Sequence, residues 1–162
     1  IMETQKINNY LIFILLIVLA VLASAFIIEY ALGFKPCNLC IYQRIPYILS
    51  IFLIIRILFF EKNKKIILLI LALIFFISAF LAFYHFGIEK GFFSESIVCK
   101  NKDIADALSK EKILEQLENS KISCKKVNFR ILGFSLATIN LILSLILSAI
   151  FYKLWKKQIK KL

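Results

Sequence analysis

Four stretches of nearly unbroken apolar residues, 10–28, 41–60, 66–86 and 131–152, alternate with polar segments along the chain. Each is close to the length that an α-helix needs to cross a hydrocarbon core of roughly 30 Å. The polar segments are unequal: 29–40 and 61–65 are short, whereas 87–130 is long. This pattern predicts an all-α fold, an integral membrane four-helix bundle that forms one membrane domain over 1–162. Helices two and three, joined by so short a link, must be neighbours. Ala72, Ala79 and Ala82 on the third span, and Gly133, Ala137, Asn140, Ser144 and Ser148 on the fourth, are the small or polar residues expected at helix contacts, with Asn140 read as glue.

Composition agrees with the pattern. Hydrophobic residues make up 61% of the chain, and the mean hydropathy is +0.86, well above an ordinary soluble domain. The formal charge of +11 does not point to nucleic acid, because the basic residues cluster at the ends of apolar runs and form no aromatic-interleaved stripe. They act instead as topology determinants. Glu61-Lys62-Asn63-Lys64-Lys65 and the tail from Lys153 to Lys161, anchored by Tyr152 and Trp155, are short and basic, so both belong in the cytoplasm. With four spans the N-terminus lies there too, and 29–40 and 87–130 face outward. Ala23-Ser24-Ala25 resembles a signal-peptide cleavage site, but the apolar run continues through Ile28 and Lys6 alone makes a thin basic leader, which favours an uncleaved span. Arg56, near a span end, is read as snorkelling to the interface.

The candidate chemistry is concentrated in Pro36-Cys37-Asn38-Leu39-Cys40-Ile41-Tyr42-Gln43-Arg44-Ile45-Pro46-Tyr47. Two thiols with two residues between them can close a small disulfide ring. On a helix beginning there, Arg44 lies one turn beyond Cys40 on the same face, so its cation and the helix dipole both favour a thiolate. Pro46 is tolerated in a first turn, where the N–H groups are unpaired anyway. A zinc knuckle would need a second pair at similar spacing, and Cys99 and Cys124 are not so spaced, so no metal is assigned. His85, the one histidine, ends the third span on the same side as the cysteines, either as an interfacial polar residue or as a hydrogen-bonding or proton-relay partner for a reducible ligand.

In the long loop, Asp103–Glu118 carries apolar positions at helical spacing, with Asp103 and Ser109 as candidate N-caps, and is expected to form one or two amphipathic helices on the membrane surface. A disulfide between Cys99 and Cys124 would close a loop of about 25 residues. As a static staple it would contribute on the order of 3 kcal/mol. Two cysteine pairs on one oxidising face, one at the lip of the bilayer and one on a loop, fit an electron relay better than a staple. In that reading Cys99 is expected to be mobile and exposed to a protein partner.

The string Pro-Cys-x-Leu-Cys-x-x-Gln-Arg-x-Pro-Tyr from Pro36 to Tyr47 resembles the first periplasmic loop and second helix of the DsbB family. So do Tyr84-His85-x-Gly87-x-Glu89, the loop pair Cys99 and Cys124, and Phe129-Arg130-x-Leu132-Gly133-x-Ser135-Leu136. The resemblance implies a bacterial inner-membrane enzyme that reoxidises a DsbA-like thioredoxin-fold periplasmic protein with a membrane quinone, ubiquinone or menaquinone. It further implies that Cys99 forms the mixed disulfide, that Cys124 exchanges with Cys37, and that Cys40 is the thiolate contacting quinone beside Arg44, with His85 as a second quinone-side residue. Gln43 stands where other members carry Glu and is given no acid–base role. Two other readings compete. A vitamin K epoxide reductase-like enzyme would place its Cys-x-x-Cys after the loop pair, on the last core helix, whereas here it comes first. A non-enzymatic four-span scaffold of the tetraspanin type would carry a Cys-Cys-Gly cluster in the stapled loop and need no Cys-x-x-Cys.

Overall fold

A computed structural model describes residues 2–60, 63–94, 99, 124, 130, 131 and 133–159. Its helices are α1 (Met2–Tyr30), α2 (Asn38–Tyr42), α3 (Arg44–Phe59), α4 (Lys64–Glu89) and α5 (Leu136–Ile159). Four helical segments, Gln5–Tyr30, Asn38–Phe59, Lys64–Glu89 and Leu136–Ile159, are long and apolar enough to cross a membrane. The protein is therefore an all-α four-helix membrane bundle. Each such helix satisfies its backbone N–H and C=O groups internally, as hydrocarbon requires. The proposed surface helices within Asp103–Glu118 lie outside the described residues.

The boundaries depart from the apolar runs where local chemistry intervenes. The second span is broken at Gln43 because Pro46 has no N–H to offer the carbonyl four residues upstream, so the ladder restarts at Arg44 with Pro46 in the first turn. The short link after α3 turns at Asn63, whose φ of 65° is left-handed, and α4 begins at the next residue. The fourth span was expected from Ile131, but its helix starts only at Leu136. Gly133 (φ 86°) turns a small antiparallel hairpin, β1 (Arg130–Ile131) with β2 (Phe134–Ser135), paired Arg130 to Ser135. Ser135 Oγ then accepts from the Thr138 N–H at 3.2 Å and caps the helix.

Helix α4 packs along α5, α1 along α3, and α3 against α4. The α4–α5 contact is close because its residues are small: Ala72, Ala79, Ala82, Ala137 and Ser144 are all buried, the Ser78 and Ser144 hydroxyls pair at 3.2 Å, and Ser148 Oγ donates to the Ala72 carbonyl at 3.0 Å. Phe75 fills the centre, with Tyr47 edge-on at 5.5 Å and Phe151 stacked at 5.7 Å. Large side chains such as Phe13, Leu16, Phe52, Ile77, Phe80 and Ile146 point outward, as lipid solvent requires. Arg56 is exposed in the last turn of α3.

Past the end of α4 the chain doubles back at Gly91 (φ 80°). The Phe93 ring stacks on Tyr84 at 5.6 Å and occupies the space beside Gly87, where a Cβ would stand 2.1 Å from a ring carbon. Gly87 in the Tyr84-His85-x-Gly87-x-Glu89 motif thus serves close packing, and α4 reaches far enough to carry both His85 and Glu89 on one face.

Candidate active site

Cys37 is the N-cap of α2, extended at φ −73° and ψ 165°, and its Sγ accepts from the Cys40 N–H at 3.3 Å. The short helix brings the two thiols together, with Cys37 Sγ and Cys40 Sγ 2.8 Å apart. From α4, His85 sets Nε2 at 3.6 Å from Cys37 Sγ and at 3.7 Å from Glu89 Oε1 one turn further on. The loop pair forms a disulfide between Cys99 and Cys124, with Cα atoms 5.7 Å apart. Cys37, Leu39, Ile88, Cys99 and Cys124 form one buried apolar cluster, against which Cys40 and Tyr84 pack. The fold therefore gathers all four cysteines at one end of the bundle.

The position of Cys99 differs from the sequence expectation. It is only 7% exposed, against 2% for Cys124, because the disulfide sits down on α2 and the end of α4.

The imidazole is held from behind by a chain of amides. Gln43, buried in the break between α2 and α3, donates from Nε2 to His85 Nδ1 at 3.2 Å. Asn140 Nδ2 of α5 donates to Gln43 Oε1 at 3.0 Å, and Tyr47 Oη donates to Asn140 Oδ1 at 2.5 Å. With Nδ1 accepting, the ring proton lies on Nε2 and faces Cys37 Sγ. Among the described residues every buried side-chain nitrogen and oxygen has a partner, so this polar chain is satisfied throughout.

Arg44 also departs from expectation. It follows Cys40 by one turn, but its guanidinium pairs with Glu29 near the end of α1, lies 4.9 Å from the Phe26 ring centroid and donates to the Ala25 carbonyl at 3.5 Å. The side chain is 16% exposed. Its charge is already balanced by a carboxylate rather than left to the thiols.

These groups border one cavity of about 230 Å³. Cys37, Cys40, Cys124, Arg44, His85 and Glu89 line its polar end, while Val21, Leu22, Ile139 and Leu143 of α1 and α5 form apolar walls. Gln43, Tyr47 and Asn140 line it as well. Sequence reading missed Glu29, Tyr47 and Asn140 as site residues and gave Gln43 no part. The available signal was that polar side chains inside or at the end of apolar spans are costly and commonly functional.

The Cys37 thiol, just outside the second span, is lowered from 9.0 to about 5. The hydrogen bond from the Cys40 thiol is the largest cause, burial opposes it, and His85 and the Cys40 N–H lower it further. These contacts favour a thiolate on Cys37 when the dithiol is free. Alkylation of Cys37 by a small reagent, in a Cys99→Ser/Cys124→Ser background, should be flat above about pH 6 and fall tenfold per unit below about 5. A midpoint near 9 would show that neither hydrogen bond acts on it. His85→Ala should move the midpoint upward.

Residues 7–154 match the family model described as disulfide bond formation protein DsbB. An uncharacterized protein of Rickettsia prowazekii (strain Madrid E) is 32% identical over 128 residues, covering 78% of this chain and 74% of the relative.

Proposed function

The chain belongs to the DsbB family of disulfide bond formation proteins, and from that premise we propose that it oxidises a DsbA-like thioredoxin-fold protein and passes the electrons to a membrane quinone. The observation that carries this reading is the single cavity lined by Cys37, Cys40 and Cys124, with the loop disulfide packed on the Cys-x-x-Cys pair. A staple would not need to sit on a second pair of thiols.

In the relay, a thiolate of the reduced partner attacks Cys99, breaking the Cys99–Cys124 bond and releasing Cys124 as the leaving thiolate. The partner's second thiol then displaces Cys99, so the partner leaves oxidised and both loop cysteines are reduced. With the lip pair oxidised, Cys124 attacks Cys37 and releases Cys40. Cys99 next attacks Cys124, restoring the loop disulfide and freeing Cys37. Two electrons have then moved from the partner to Cys37 and Cys40. Cys40 would be the thiolate left to meet the acceptor while Cys37 is engaged with Cys124, which is compatible with a resting thiolate at Cys37.

The cavity fits a quinone. At about 230 Å³ it is smaller than the roughly 300–1,000 Å³ of pockets that enclose a whole drug-sized ligand. That size would suit a ring headgroup, and the apolar side chains of α1 and α5 would be the ones to meet its tail. Arg44 would donate to one carbonyl oxygen, and His85 could donate to the ring only with the Nε2–H that otherwise faces Cys37 Sγ; the quinone, when bound, would supply the two-electron oxidant that thiols lack. Pairing with Glu29 fixes the Arg44 guanidinium at the cavity edge, and Gln43 fixes the imidazole.

The protein is a multi-pass membrane protein, and we place it in the bacterial inner membrane with both termini cytoplasmic and the cysteine loops periplasmic. Cys37, Cys99 and Cys124 are buried in the folded protein, so the threading is read at an exposed loop position: in a cysteine-free chain, Lys35→Cys should be labelled by a membrane-impermeant thiol reagent on spheroplasts. Protection of that position until the membrane is dissolved would count against this threading.

The function itself is tested by adding a reduced DsbA-like donor to the purified protein and following the absorbance of a soluble ubiquinone or menaquinone analogue. Catalytic, donor-dependent quinone reduction is expected. Donor oxidation without quinone loss would point to a different acceptor.

A further inference from the structure

The Cys37, Cys40 and His85 ligand atoms all lie within 4.8 Å of one another, although the residues come from two different helices. We propose that the reduced Cys37/Cys40 pair and His85 form a three-ligand site for zinc, which arrests the centre in its dithiol state. The Cys-x-x-Cys spacing alone did not suggest this, because the third ligand is brought in by the fold from α4.

The geometry is close to what the ion requires. Zn–S bonds of about 2.3 Å and Zn–N bonds of about 2.0–2.1 Å in a tetrahedron set sulfur and nitrogen about 3.6 Å apart and two sulfurs about 3.8 Å apart. Cys37 Sγ and His85 Nε2 are 3.6 Å apart as they stand. The two sulfurs, at 2.8 Å, must open by about 1 Å to reach the tetrahedral spacing, a movement that turns the half-buried Cys40 side chain toward the cavity it lines. The fourth position faces the cavity, where water can occupy it and Glu89 Oε1, 3.7 Å from Nε2, can accept that water's proton in a hydrogen bond.

Charge and outer partners also suit the ion. Two thiolates and a neutral imidazole around Zn²⁺ sum to zero, the arrangement a buried site tolerates best. Each coordinating thiol gives up its proton to solvent, and nothing is oxidised or reduced. A ligating imidazole needs an acceptor for its other N–H. Gln43 already faces Nδ1 at 3.2 Å. Turning its amide, together with that of Asn140, presents Oε1 to Nδ1–H and directs Asn140 Nδ2 to the Tyr47 oxygen, so the same chain of partners serves this tautomer. Coordinated thiolates cannot pair into a disulfide, so bound zinc blocks reoxidation whatever the acceptor is.

The test uses the full chain in detergent micelles, with Cys99→Ser/Cys124→Ser to remove the loop thiols, reduced and titrated with Co²⁺ alone. Thiolate-to-cobalt charge transfer and tetrahedral d–d bands should saturate at one equivalent, be displaced by Zn²⁺, and be absent after the Cys37–Cys40 disulfide has formed. His85→Ala should weaken binding tenfold or more, and Gln43→Leu roughly ten- to a hundredfold. X-ray absorption of the zinc-loaded parent reads the ligands without any variant at position 85 or 43, and should show two sulfurs and an imidazole. Lack of a saturable thiolate band, affinity unchanged in His85→Ala, or a zinc shell without imidazole would overturn the site.

Discussion

Replacing Cys40 by serine is expected to reduce quinone-linked turnover on the order of 10⁴-fold or more, the scale on which loss of the attacking group acts in covalent catalysis. The serine oxygen preserves size but cannot form the disulfide that carries two electrons away. The loop disulfide lies outside the change, so capture of the partner through Cys99 should persist. Two measurements separate the effects: quinone absorbance for turnover, and a non-reducing gel for the partner adduct. Retained quinone reduction in Cys40→Ser would remove Cys40 from the relay, and loss of both readouts would indicate a folding defect.

Arg44→Ala is expected to slow quinone reduction by roughly ten- to a hundredfold, the cost of a charge-assisted contact of about 1.5–3 kcal/mol. The rate of forming the partner adduct should change little, because the contacts of Arg44 are with Glu29, Ala25 and Phe26 of α1 and none is with the Cys99–Cys124 bond. The Glu29 partnership adds a control. Alanine at 44 leaves a partly buried carboxylate uncompensated, so some of the loss belongs to Glu29. Glu29→Gln in the same chain removes that charge. If the double variant regains wild-type quinone kinetics, Arg44 serves only to neutralise Glu29. If the quinone defect stays and adduct formation is normal, the guanidinium itself acts on the acceptor.

Much of the bundle was legible in the apolar runs, because a span in lipid must be helical and of a set length. Small residues such as Ala72, Ala79 and Ser144 marked helix contacts, because their size permits close approach, but not which helices would meet. What the runs could not show was the start of α5, where Gly133 diverts apolar residues into a hairpin, or the break at Gln43, which follows from a missing N–H three residues later. In the site, the Cys-x-x-Cys pair was visible from spacing. The Arg44–Glu29 pair was not, since Glu29 lies on another helix in what read as a polar link. The Gln43–Asn140–Tyr47 chain was invisible for a related reason. Each residue alone resembles packing glue, and only the crossing of α3, α4 and α5 aligns them behind His85. The burial of Cys99 likewise depends on how the loop disulfide seats against α2, which no local pattern encodes.

Exchange between the two pairs is the step on which the relay depends, and a chain retaining only Cys37 and Cys124 tests it most directly. In Cys40→Ser/Cys99→Ser the two remaining thiols face the same cavity. Oxidation in intact membranes, followed by non-reducing digestion and mass spectrometry, should recover a Cys37–Cys124 linked peptide in high yield. If both thiols stay free under conditions that restore the Cys99–Cys124 bond in Cys37→Ser/Cys40→Ser, the pairs do not exchange and the loop disulfide is a staple.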